Sequence, residues 1–477
     1  MSNPQVIHRA NDSSSLYQNI KSRKSLQQPF DYQNEGEVNV CPVARSRIVV
    51  SPTTSLSATS AQTLRFALPQ AGLIEDIALQ LTFTSAAETN DDTGAHDCAL
   101  VEFAGAFAWE KCRLVYQGST IWETTPYAAM CGLYSRANKE KASALDLCLG
   151  SGILGTSNDT LGSVTGRKAA ASSFGGIQLS CPLTPFFSET LGRFLDGYSL
   201  SSQMWCEIDL RASSANHFIN EGSTTGCSYS DAQLIAWVAE LSPQELSAYQ
   251  SRQYSPNSVS SQLAYTTSHF SESVATPVIK SALGGVGNVV KIQALSGLCR
   301  KLYIFATLDS DVASASAKEY FKLVDLASVK LSAGNQEIYG MANTCLFDQK
   351  HISVGTGYKT DHILENIHNN LNMASGDTIT GISTTFDPYT NEIINPIGNG
   401  TTDMSRVKII QFAYDSQDYS SADGCLALGQ TNNPVVEVTF NTGHSGATTI
   451  HIVAEMITLA TYTTNANGAV NFKVIQE

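Results

Sequence analysis

Three stretches of this chain place reactive residue types at spacings close to those of known chemistry. His362, Glu365 and His368 lie at i, i+3 and i+6 within Thr360–Met373, whose pattern predicts a helix. Zinc proteases use H-E-x-x-H, in which histidines four apart share one helix face and the Glu follows the first directly. Six residues at about 100° each carry the second histidine about 240° around the helix. A shared metal is therefore not expected, and the segment reads as a solvated helix face.

Gly443-His444-Ser445-Gly446 falls one residue short of the nucleophile elbow G-x-S-x-G, because Ala447 stands in the fifth place. The elbow also needs a helix after its sharp turn to raise the serine oxygen. Here TTIHIVAE follows and alternates like a strand, so a tight β-turn is expected. Gly284-Gly285-Val286-Gly287 lacks the Lys-Ser/Thr of a P-loop and the full dinucleotide fingerprint, and it opens a strand rather than a helix. Trp109, Trp122, Trp205 and Trp237 fall on or beside predicted strands. An exposed one would suit a sugar, but sandwich core is the expectation for all four. No residue is assigned a catalytic, cofactor-binding or metal-ligating role, no cofactor is expected, and the chain is not read as an enzyme.

The elements that would have to position any site are strands. From about residue 45 short apolar or alternating runs such as SRIVVS, TLRFAL, LIEDIALQLTF, KCRLVY, MWCEIDL and QLIAWVAEL are separated by Gly/Ser/Asn/Thr clusters. This spacing signals a sandwich or barrel, not a parallel sheet with helical crossovers. Helical patches are few: Pro126–Ala144, Pro243–Arg252 and Thr360–Met373. Ser242 followed by Glu245 forms a capping-box arrangement that starts the second.

Composition narrows the classes. The 477 residues allow three average domains or two large β domains. Charged residues make up 15% against 42% hydrophobic, leaving a neutral, Ser/Thr/Asn/Gly-rich surface suited to packing against neighbours. A net charge of −14 argues against direct nucleic-acid binding, which needs Lys/Arg to displace counterions. No run reaches the 18 or so apolar residues of a membrane span, and MSNPQVIHRANDSSS has no signal-peptide core. The 11 cysteines are odd in number, scattered and without a CxxC pair, so they read as reduced, mostly buried thiols. Residues 1–44 differ from the rest: polar, weakly periodic and basic at Arg9, Lys21, Arg23 and Lys24, they read as an arm that orders only against a partner.

The text also repeats once. TLRFALPQAGLIEDIALQLTF (Thr63–Phe83) resembles NVVKIQALSGLCRKLYIFATL (Asn288–Leu308), an offset of 225 from Gly72 to Gly297. KCRLVYQGSTIWE (Lys111–Glu123) resembles LASVKLSAGNQEIYG (Leu326–Gly340), an offset of 217 from Ile121 to Ile338. A Cys before a Leu-aromatic pair follows each, at Cys131 and Cys345. Two blocks in order at nearly constant offset are what a duplicated domain leaves, which selects two large β domains.

With these blocks the chain resembles the double jelly-roll major capsid proteins of icosahedral DNA viruses, of the nucleocytoplasmic large DNA virus, virophage and polinton-like virus type. The first repeat is similar to that family's opening strands. Pro182–Arg211 is similar to its Pro-Leu-x-Phe stretch, and Gln233–Gln253 to the strand that runs into its linker helix. Tyr414–Phe440 resembles its Tyr-Pro-Ser-Gly turn and following strand, although Ser420 replaces the proline and the glycine comes late, at Gly424. The ending TIHIVAEMITLATYTTNANGAVNFKV is similar to its final hairpin.

The resemblance implies an all-β chain of two tandem jelly-roll sandwiches with a few short helices in loops and linker. The expected divisions are an N-terminal arm (1–44), a first jelly roll (45–241), a linker helix and loop (242–262) and a second jelly roll (263–477). It also implies a viral structural protein whose homotrimers, each a pseudo-hexamer, tile an icosahedral shell. Its partners would then be itself, neighbouring trimers, minor capsid and penton proteins and, through the arm, an internal membrane, with no direct contact to nucleic acid. Its place would be the virion, assembled in the host cytoplasm or nucleus. The reading from another class is a two-domain β-sandwich carbohydrate-binding or adhesion module, which would be monomeric or dimeric and bind glycans.

Overall fold

The computed structural model describes the elements named below and their adjoining turns over residues 44–475. It leaves out 1–43, 86–97, 137–176 (except 145 and 148–150), 213–217, 221–226, 248–261, 343–407 (except 385–386 and 393–394), 413–424 and shorter stretches. The Thr360–Met373 segment with His362, Glu365 and His368, the Gly284–Val286 run, Cys345, and Gly443 and His444 lie outside the described residues.

In chain order, the first part supplies β1 (Ala44–Val50), β2 (Gln62–Ala67), β3 (Leu73–Ser85), β4 (Cys98–Leu100), α1 (Ala104–Phe107), β5 (Trp109–Tyr116), β6 (Ser119–Thr124) and α2 (Pro126–Arg136). It continues with β7 (Ile177–Pro182), β8 (Leu195–Asp196), β9 (Met204–Leu210), β10 (Phe218–Asn220) and β11 (Cys227–Glu240). The second part opens with β12 (Gln262–Val274), β13 (Ile279–Leu283), β14 (Gly287–Lys291), β15 (Leu298–Leu308), α3 (Asp309–Val312), β16 (Leu326–Ala333) and β17 (Gln336–Ala342). It closes with β18 (Thr385–Phe386), β19 (Ile393–Ile394), β20 (Lys408–Gln411), β21 (Leu426–Ala427), β22 (Val435–Phe440), β23 (Ser445–Thr464) and β24 (Val470–Ile475).

These strands pair antiparallel into two main sheets in each part, with β4–β10 and β18–β19 as separate two-stranded pairs. The first part has the orders β1-β11-β3-β7 and β2-β9-β5-β6; the second has β12-β23-β15-β20 and β14-β22-β16-β17. The two pairs of orders are the same strand for strand, and one accessory strand matches, with β8 beside β3 and β21 beside β15; the second part adds β13 and β24 beside β23. Each is the jelly-roll order, in which two stacked sheets alternate their inward residues.

The alternation expected of the strands is present. Leu64, Phe66 and Leu68 are buried, and β9 turns Met204, Cys206, Ile208 and Leu210 inward while Trp205, Glu207 and Asp209 face outward. Between β5 and β6, Gln117 and Gly118 both have positive φ (50° and 80°), the two-residue turn that matches strand twist. The predicted helix at Pro126 is α2. At the start of the linker the Leu246 amide donates to the Ser242 carbonyl (2.7 Å), so the chain coils after Ser242 as its capping pattern implies.

Two expectations need correction. Trp109 and Trp122 are core, but Trp205 faces outward beneath the Arg65 guanidinium (4.0 Å to the ring centre), and Trp237 is 37% exposed. Strand parity decides this: each occupies the outward step of a strand whose neighbours face in. The constant repeat offset also slips by one at β14, because it pairs buried Leu64 with Val289, which is 62% exposed.

Candidate functional site: the seam between two sandwiches

The sequence motifs do not assemble a reaction centre among the described residues. Ser445 opens β23 rather than an elbow, Gly287 opens β14, and no three His, Cys, Asp or Glu side chains gather closely enough to hold a metal ion. The most densely built feature is instead the seam where the two sandwiches meet.

Strand β15 creates it. Leu302, Ile304 and Ala306 face the core of the second sandwich, whereas Tyr303 and Phe305 belong to the hydrophobic cluster of the first. A bulge between Cys299 and Lys301 sets this phase. Both faces of the strand are covered, which is why Leu302–Ala306 reads as a continuous apolar run, and its polar residues Arg300, Lys301 and Thr307 are buried as well. Onto this outer face the first sandwich lays α2, which packs against β12 and β23. Helix and sheet approach closely at Gly132, where a β-carbon would sit 3.0 Å from the Phe270 ring.

Rings fill the seam. Phe107 stacks on Tyr320 (4.9 Å between centres, 11° between planes) and meets Tyr127 edge-on (5.1 Å). Tyr127 also contacts Phe305 (5.7 Å) and His451 (4.2 Å), and its hydroxyl donates to the Tyr320 carbonyl (2.7 Å). Burial pushes the Tyr127 phenol well above its ordinary range, so it stays a donor at every working pH. Such ring pairs contribute about 0.5–1.5 kcal/mol each beyond their buried area.

A polar chain runs through the same seam. The Thr125 hydroxyl donates to Glu272 Oε2; His451 Nδ1–H donates to Glu272 Oε1 (2.7 Å); His451 Nε2 and the Thr307 hydroxyl lie 2.9 Å apart. Thr125 comes from the first sandwich and the other three from β12, β23 and β15. A cleft of about 300 Å³, lined in part by Lys111, Trp122, Thr125, Ser271, Glu272 and Leu295, opens beside it. On the same outer face of β15 and β23, Lys301 and Glu455 form an ion pair (3.3 Å) with side chains only 4% and 0% exposed. None of these residues was legible as a site, because their spacings in the chain match no local motif.

The outward face of the β2-β9-β5-β6 sheet carries a different pattern. Arg65 pairs with Glu207 (3.3 Å), Arg113 contacts both Asp209 oxygens (3.0 Å each), and Lys111 pairs with Glu123 (2.7 Å). Its charges are matched internally, so little net field is presented.

No family model matches the sequence, and no curated protein matches it significantly. Solved structures do match. The capsid of the virus PBCV-1 superposes with a TM-score of 0.57 at 11% identity, over 92% of this chain and 98% of that one. The major capsid protein of Faustovirus gives 0.56 at 12%, over 90% and 92%. That of mavirus gives 0.51 at 10%, over 94% and 92%. The fold is the double jelly roll. Within it α2, which follows β6 of the first sandwich, packs on β12 and β23 of the second. The double jelly roll also accounts for the repeat, since Gly72 and Gly297 stand at the same corner of the two copies.

Proposed function

We propose that this chain is a viral major capsid protein that acts by assembly rather than turnover. One observation carries the reading: the same strand order occurs twice in one chain, across a ring-filled seam, in an arrangement that superposes over nine-tenths of the chain on capsid proteins of PBCV-1 and Faustovirus. Duplication lets a threefold oligomer offer six similar sandwiches to its neighbours, so closed symmetry fills sixfold positions in a lattice. Obligate interfaces of this kind bury more than about 2,000 Å². A surface with 15% charged residues suits such faces, and the charge of −14 leaves genome contact to other components.

The same reading divides the chain into an arm (1–44), a first jelly roll (45–241), a linker (242–262) and a second jelly roll (263–477). It places the basic arm at the inner base of the trimer, towards minor capsid proteins or an internal membrane. The pentons and neighbouring trimers complete the shell in the virion.

The test is the mass of the purified chain in solution. A trimer of 51.1 kDa chains has a mass of about 153 kDa and gives pseudo-hexagonal rings in negative stain. A stable monomer at micromolar concentration overturns the reading, and a monomer or dimer that binds glycans replaces it with a carbohydrate-binding module.

A further inference from the structure

Apolar packing alone would hold the two sandwiches together without fixing how one is turned on the other, because stacked rings slide at little cost. Hydrogen bonds between buried polar groups do not. Glu272 and His451 have side chains only 5% and 10% exposed, and Thr307 is 1% exposed. Both carboxylate oxygens of Glu272 are engaged, one from each sandwich: Thr125 Oγ1 on Oε2 and His451 Nδ1 on Oε1. The imidazole is held on its other side by Thr307 (2.9 Å) and is stacked on Phe305 (5.1 Å between centres, 18° between planes). A buried carboxylate deprived of either donor loses a charge-assisted bond in a site with little water, and rotating one sandwich against the other would break the Thr125 contact first. The chain therefore favours one orientation over its neighbours.

We propose that Thr125, Glu272, His451 and Thr307 form a latch that fixes the angle between the two sandwiches of one chain. Resting on the capsid reading, the consequence is that trimer closure depends on this latch, since six sandwiches meet around an axis only when each pair is set at one angle.

The experiment is amide hydrogen exchange on the full chain, comparing wild type with Glu272→Leu, Glu272→Gln and Thr125→Val at a concentration where all share one oligomeric state. Glu272→Leu removes both acceptors and is expected to raise exchange in α2 and β12 by about tenfold or more, with β5, β9, β16 and β22 unchanged. Glu272→Gln keeps an acceptor for His451 and is expected to give a smaller rise in the same elements. Thr125→Val removes the donor from the first sandwich and with it the hydroxyl that accepts from the Ala128 amide at the start of α2 (3.3 Å), so it is read in β12, where the same expectation holds if Glu272→Leu fails to fold. Unchanged exchange in β12 for both Thr125→Val and Glu272→Gln, or a rise spread evenly over both sandwiches, overturns the latch. Trimer yield is measured in parallel. Wild type that never trimerises defeats the capsid reading and leaves the exchange result standing, whereas variants that trimerise normally despite a loosened α2 defeat the link between latch and closure.

Discussion

Gly72 and Gly297 hold the same corner of the two sandwiches, each with positive φ (91° and 115°) and each one residue before the long strand that crosses its core. A side chain is strained at both. At Gly72 a β-carbon would also stand 2.1 Å from Val238 Cγ1 and 3.2 Å from the Ala239 carbonyl. Gly72→Ala should therefore cost more than the about 1–2 kcal/mol of the left-handed backbone, because β11 must also shift. Denaturant midpoints of the variant against wild type measure this; a loss no larger than the backbone cost would mean that β11 yields freely at this corner.

How far the sequence could be read follows from such positions. The inward step of Leu64, Phe66 and Leu68 and the duplicated Gly-Leu corner were legible because alternation and turn chemistry are local. Trp205 and Trp237 were misplaced because residue type suggests burial while strand parity decides it. Glu272 and His451 were invisible as partners: they lie 179 residues apart and meet only after two sandwiches dock. The two-faced burial of β15 hid the seam itself, since an apolar run such as Leu302–Ala306 does not announce which neighbour covers its second face.

The Lys301–Glu455 pair should behave as a buried ion pair. Lys301→Met alone takes the Lys301 charge away from a fully buried Glu455 carboxylate and should destabilise by about 3–5 kcal/mol. Replacing both, with Lys301→Met and Glu455→Leu together, should recover most of that loss, because the desolvation of two charges disappears with them. Chemical denaturation of the single and double variants checks this. A double variant as weak as the single would assign the pair's value to its surroundings and not to the two charges.

Thiol reactivity should follow burial. Cys112, Cys131, Cys181, Cys206 and Cys299 are buried and free, and Cys148 is exposed. Burial pushes the Cys181 thiol up to about 12 and those of Cys112, Cys131 and Cys299 well above their usual range, so little thiolate forms. Cys112 and Cys206 lie with sulfurs 3.7 Å apart, as neighbouring thiols rather than a disulfide. Among the described cysteines, iodoacetamide should modify Cys148 first in the native protein, the half-buried Cys425 more slowly, and the five buried thiols only as the chain unfolds. Peptide mass spectrometry before and after denaturant reads this directly, and fast native labelling of Cys206 would contradict the packing of the β5–β9 pair.

Asp76 should give stability a defined dependence on pH. It sits on β3 opposite Trp237, hemmed in by neighbouring atoms, and burial raises its carboxyl from 3.8 to about 7 despite hydrogen bonds from the Ile77 amide (2.8 Å) and the Ser188 side chain. Between those two values the folded chain keeps a proton that the unfolded chain has released. Stability from this group is therefore complete below about pH 4 and is lost as pH rises towards 7, with a slope of at most about 1.4 kcal/mol per pH unit. Asp76→Asn cannot ionise. It should match wild type near pH 4, exceed it above pH 7, and show a flatter profile between. Glu75, whose carboxyl burial also raises, remains in both proteins; its charge adds to the rise at Asp76, and that coupling is removed together with the Asp76 titration. Urea midpoints taken from pH 4 to 8 decide the matter: two parallel profiles would mean that Asp76 titrates alike in the folded and unfolded chain.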